Sequence, residues 1–67
     1  MSRDPKLLEA WALQPPLEVH QFPDGRTLAL IDDNDFNAAL LRDPDGTPVG
    51  IEFGLSHAGF EELVKTL

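Results

Sequence analysis

The chain has 67 residues, 42% of them hydrophobic and 25% charged, with no cysteine. That length suits one domain, residues 1–67, whose single small core removes about 60% of the unfolded surface from water; without thiols, disulfides and thiolate zinc sites are excluded. With 12 acidic against 5 basic residues the net charge is −7, which repels nucleic-acid phosphates and anionic membranes and argues against direct binding to either.

Asp4-Pro5 reads as a helix start, with Asp at the N-cap and Pro at the first helical position. Lys6 to Leu13 continues that helix, and Leu7, Leu8, Trp11 and Ala12 share one face at helical spacing. Gln14-Pro15-Pro16 ends it, because a proline disfavours helix in the residue before it. Leu17 to Phe22 alternates, with Leu17, Val19 and Gln21 on one side and Glu18, His20 and Phe22 on the other.

Phe22-Pro23-Asp24-Gly25 is a turn: Pro presets φ, Asp tolerates the next position and Gly supplies the left-handed residue. Thr27 to Asp32 returns, with Leu28 and Leu30 on one face, and completes a hairpin. Asp32-Asp33-Asn34-Asp35 is a polar connection. Phe36 to Arg42 has two readings: Phe36, Ala38 and Leu40 alternate as in a strand, yet Asn34 or Asp35 could cap a third helix through Ala38-Ala39-Leu40-Leu41. The second turn, Asp43-Pro44-Asp45-Gly46, favours the strand, since a hairpin turn needs one before it.

Thr47 to Phe53 is the following strand, with Val49, Ile51 and Phe53 assigned to one face and Gly50 allowing a bulge or a close approach. Ser56 caps the last helix and Leu55 staples onto Phe60. Phe60, Leu63, Val64 and Leu67 form its apolar stripe; Glu61 and Glu62 early and Lys65 late suit the helix dipole. Leu28-Ala29-Leu30 matches Val49-Gly50-Ile51 when the turns are aligned, a hairpin pattern that convergence explains as well as duplication.

The expected fold is α+β: a small four-stranded antiparallel sheet of two hairpins, flanked by an N-terminal and a C-terminal helix. Both helices are expected on one face, burying Leu8, Trp11, Phe60, Leu63 and Val64 against the strands.

Catalytic constellations are weak. Asp33-Asn34-Asp35-Phe36-Asn37 opens like a calcium loop, but Ala38 stands where the sharp turn needs Gly and Pro44 where a bidentate Glu belongs. His20 and His57 are the only imidazoles; a metal site would need convergent partners such as Glu52 or Asp32. Ser56 beside His57 lacks a nucleophile elbow, and no Gly-rich phosphate loop occurs. No cofactor is expected.

Leu41 to Glu52 resembles the final hairpin of vicinal-oxygen-chelate (glyoxalase-like) domains, in which a Glu on the last strand can ligate metal; the resemblance maps that Glu onto Glu52. It spans under a fifth of the chain and consists mostly of turn chemistry, so the family's function is not carried over.

The acids Asp24, Asp32, Asp33, Asp35, Asp43 and Asp45 all fall in turns, with Asp24 and Asp45 at one end of a meander and Asp32 to Asp35 at the other. Trp11, the only Trp, suits either core packing or an interface anchor. The resulting expectation is a non-enzymatic acidic interaction protein of bacterial or phage type, cytoplasmic, an inhibitor or regulatory adaptor. Its partner would be a basic protein surface or a nucleic-acid-binding protein, contacted through Asp24, Asp32, Asp33, Asp35, Asp45 and Trp11. The competing expectations are a homodimer whose partner copy covers an open sheet face or edge, and a small metal-dependent enzyme or metal sensor built on His20 and Glu52.

Overall fold

The computed structural model describes every residue, Met1–Leu67. Helix α1 (Pro5–Ala12) precedes β1 (Glu18–Gln21), β2 (Thr27–Asp33), β3 (Phe36–Arg42), β4 (Pro48–Leu55) and helix α2 (His57–Thr66). The strands form one antiparallel sheet in the order β1-β2-β3-β4, the α+β arrangement expected. No helix is long and apolar enough to cross a membrane.

Local chemistry sets the helix boundaries. Asp4 takes an extended backbone, and its carboxylate accepts from the Lys6 N–H at 3.0 Å. Ser56 does the same for α2, its hydroxyl accepting from the Gly59 N–H at 3.0 Å. Each satisfies a backbone donor that the first helical turn leaves without a partner. Glu61 and Glu62 lie past the first turn of α2, while Lys65 sits in its last turn.

The segment with two readings is a strand. Ala38, Ala39, Leu40 and Leu41 are helix formers, but all four are buried in β3, on alternate faces of the sheet. Burial on both faces outweighs an intrinsic preference of a few tenths of a kcal/mol per residue.

The helices do not share a face, contrary to the sequence expectation. Leu8 of α1 packs with Ala29, Ile31, Ala38, Leu40 and Ile51. Phe60 of α2 packs with Phe22, Leu28, Leu30, Ala39 and Leu41. The sheet is therefore the middle of three layers. Leu28-Ala29-Leu30-Ile31 and Ala38-Ala39-Leu40-Leu41 are its two central, doubly covered runs. Trp11 supports the first cluster, while Leu63 and Val64 support the second.

Val49, Ile51 and Phe53 do not share a face either. The β3–β4 register shifts between Leu41 and Arg42, and again between Asn37 and Ala39. Each shift inserts an extra residue into β4 and turns the following side chain over. Val49 thus joins the α2 side, Ile51 and Phe53 the α1 side, and Leu55 the α2 side again.

The two sheet edges differ. Along β4, Ile51 exchanges backbone hydrogen bonds with Ser2, at 2.8 and 2.9 Å. Gly50 serves close approach there: a Cβ on it would lie 2.5 Å from the Met1 sulfur. Along β1 all four residues are exposed and nothing lies outside the strand.

Candidate functional site

The two Pro-Asp-Gly turns are built alike. Gly25 N–H donates to the Phe22 carbonyl at 3.0 Å, and Gly46 N–H to the Asp43 carbonyl at 2.8 Å. Phe22 N–H donates to Arg26 O and Asp43 N–H to Thr47 O, both at 2.9 Å. Both glycines have positive φ, 96° and 90°. This is the three-residue hairpin loop that ends in a left-handed glycine bulge. The loops meet at one end of the sheet, where a Cβ on Gly25 would stand 3.1 Å from Pro44 Cβ.

The turn carboxylates are committed to the turns. Asp24 Oδ1 accepts from the Arg26 N–H at 3.0 Å and its Oδ2 from Arg26 Nε at 2.6 Å. Asp45 Oδ1 accepts from the Thr47 N–H at 2.9 Å. The Arg26 N–H holds the Asp24 carboxyl below the ordinary aspartate value; desolvation opposes it, and the Arg26 guanidinium adds to the lowering. The Thr47 N–H and hydrogen bonding from that residue lower Asp45 in the same sense.

Two arginines lie at this end, and one of them, Arg26, pairs with Asp24. Arg26 lies over the Phe22 ring, 4.9 Å from its centroid, and also donates to the Leu67 carbonyl. Arg42 donates to Gly46 O at 3.1 Å and to Ala12 O at 3.2 Å, tying the second turn to the C-terminus of α1.

The opposite end differs. Asp32, Asp33 and Asp35 surround the β2–β3 turn, where Asn34 takes a left-handed φ of 57°. None of the three carboxylates has an ion pair or a side-chain hydrogen bond. Phe36, paired with Asp33 across the turn, is 57% exposed. Sequence alternation placed Phe36 on a strand but gave no hint that it lies beyond the reach of α1.

Trp11 is half-buried over the α1-side cluster and meets Phe53 edge to face, centroids 5.3 Å apart at 70°. Most of its area is spent on that packing. The six candidate residues therefore do not form one surface: Asp24 and Asp45 mark one end, Asp32, Asp33 and Asp35 the other, and Trp11 lies under α1.

The imidazoles do not meet the carboxylate proposed from sequence. His20 is on β1 and Glu52 on β4, with two strands between them. Strand spacing alone puts them about 14 Å apart. Glu52 instead lies 3.1 Å from the Met1 amino group, so the hairpin resembling a glyoxalase-like one directs its Glu to an intramolecular ion pair. His57 lies between Glu18 and Glu61 at 3.4 and 3.7 Å on an exposed surface. No three His, Asp or Glu side chains converge to hold a metal ion.

Two surface depressions remain. One, of about 350 Å³, separates β1 from α2; Phe60 and Val64 floor it, and Glu18, His20, Glu61 and Lys65 rim it. The other, about 530 Å³, is an apolar groove along α1 bounded by Leu8, Leu13 and Pro48. Comparison with family models, characterised proteins and solved structures finds no match.

Proposed function

We propose that the chain is a non-enzymatic, cytoplasmic interaction protein, an inhibitor or regulatory adaptor of bacterial or phage type, that offers its acidic β2–β3 end to a basic protein surface. The carrying observation is the contrast between the two ends. Asp24 pairs with Arg26 and Asp45 accepts a turn N–H, whereas the carboxylates of Asp32, Asp33 and Asp35 have neither and lie around the turn that carries the exposed Phe36. An exposed aromatic on an acidic turn combines a desolvating anchor with electrostatic steering toward a cationic surface. The nucleic-acid groove of another protein has that chemistry.

The test is capture by the tagged chain, identified by native mass spectrometry, beside a variant carrying Asp32→Asn, Asp33→Asn and Asp35→Asn. The reading expects a basic partner bound at micromolar affinity, released by salt and lost from the triple variant. No protein partner at that affinity, or a partner indifferent to the three substitutions, contradicts it.

A further inference from the structure

The sheet has one closed edge and one open edge. On β4, the outward N–H and C=O of Ile51 are both taken by Ser2. The corresponding groups on β1 follow from the ladder. Phe22 N–H donates inward to Arg26 O, and inward-facing residues recur at every second position of an antiparallel strand. Glu18 and His20 therefore bond to Leu30 and Leu28, which leaves the N–H and C=O of Val19 and Gln21 pointing away from the sheet.

Native edges are usually blunted by a bulge, a lysine, a proline or a covering segment. Glu18-Val19-His20-Gln21 has no Pro and no Lys, and its register with β2 runs unbroken over these four residues; the one irregularity comes just before them, where Leu17 N–H donates at 2.7 Å to the carbonyl of Leu30, the residue opposite Glu18. All four side chains are exposed, Val19 by 53%. Pro16 and Pro23 bracket the segment and limit the length over which anything can pair with it.

We propose that β1 pairs antiparallel with β1 of a second copy, about a two-fold axis through Val19, to make one continuous sheet. The sequence is self-complementary in that register. Val19 faces its own equivalent, and the two exchange the backbone hydrogen bonds that each lacks alone. Glu18 faces His20 of the second copy, and His20 faces its Glu18, so the strand meets an acid–imidazole pair on either side of the axis. Centring the axis on His20 instead sets imidazole against imidazole and Glu18 against Phe22, losing both pairs. In a chain of net charge −7, this is a seam where a second copy brings a complementary group to an acid rather than another acid.

The Val19 axis also keeps each face of the sheet continuous. Val19 pairs with Ala29 on the α1 face, where α1 covers β3 and β4 and leaves β1 bare. The two valines meet there as a small apolar seam. On the other face, the depressions beside each α2 adjoin across the two Glu18–His20 pairs. Asp32, Asp33 and Asp35 take no part, so this proposal and the acidic-end reading fail separately.

A strand pairing of three residues a side, Glu18 to His20, is at the small end of protein interfaces, so association belongs in the range of about 10 μM to 1 mM. Sedimentation velocity of the full chain over that range is the test. The expected result is a mass rising with concentration from 7.4 kDa toward twice that value. Val19→Lys removes the dimer at every concentration while the far-ultraviolet circular dichroism stays unchanged. Glu18→Lys weakens association about tenfold by opposing Lys to His20, and adding His20→Glu restores it. The double variant does not rebuild the Glu18 contact with His57, so restoration reads the seam alone. A 7.4 kDa species throughout, a dimer that survives Val19→Lys, or no restoration in the double variant overturns the proposal.

Discussion

Gly25 and Gly46 occupy the same position of two chemically matched turns, with φ of 96° and 90°, yet their surroundings differ. Nothing lies within 4 Å of a Cβ placed on Gly46, while one placed on Gly25 stands 3.1 Å from Pro44 Cβ. Replacing either by Ala forces an L-residue into the left-handed region, at about 1–2 kcal/mol. Either replacement also lowers the entropy of the unfolded chain by the same amount, which cancels between the two. Gly25→Ala alone also pushes against the Pro44 ring, which lies in an exposed turn and must give by a few tenths of an ångström, so the crowding costs less than the ~1–3 kcal/mol of a packed core. The expected difference is on the order of 0.5–1 kcal/mol, measurable against a total stability of about 3–10 kcal/mol for a chain of this length. Urea unfolding followed by Trp11 fluorescence and by circular dichroism measures both variants, and an unchanged m-value confirms that two-state analysis applies. Equal costs, or a greater cost for Gly46→Ala, refute the packing of one turn on the other.

The two-faced core predicts that Leu8→Val and Phe60→Leu, each costing about 1 kcal/mol, add to within about 0.5 kcal/mol, because a sheet separates them. Coupling above about 1 kcal/mol in the double-mutant cycle contradicts opposite-face packing. Acid sensitivity follows from Asp24 and Asp45, whose folded values lie below the ordinary 3.8. Their contribution is complete above the unfolded value and is lost as pH falls through the lower folded value, so it disappears below about pH 4. Asn at both positions keeps an oxygen to accept the turn N–H but does not titrate. Urea midpoints measured from pH 6 to 2 should therefore fall less steeply for the double Asn variant; an identical slope refutes the assignment.

Turns and caps were legible in the sequence because they depend on chemistry within four residues. Asp4, Ser56 and the two Pro-Asp-Gly loops act where local rules place them. The side of the sheet taken by each helix depends on packing between residues far apart in the chain. Even so, the unbroken runs Leu28 to Ile31 and Ala38 to Leu41 carried the signal, since a strand covered on one face alternates and a strand covered on both does not. The bulges that separate Val49 from Ile51 and Phe53 from Leu55 had only Gly50 and Gly54 as local markers, and their positions follow from the β3 register. Acidic turns were visible as acids; that Arg26 neutralises Asp24 while Asp32, Asp33 and Asp35 stand alone required the fold to put each cation in its place.

Amide hydrogen exchange, read residue by residue by nuclear magnetic resonance in a sample of about 50 μM, tests most directly whether one sheet edge is closed by the chain itself and the other left open. Ile51 and Val19 both direct their N–H away from the neighbouring strand, but only Ile51 has an acceptor, the Ser2 carbonyl at 2.9 Å. The account predicts a slow Ile51 amide beside fast Val19 and Gln21 amides, with Val19 slowing as concentration rises. A Val19 amide as protected as Ile51 in the dilute sample, or an Ile51 amide that exchanges freely, contradicts it.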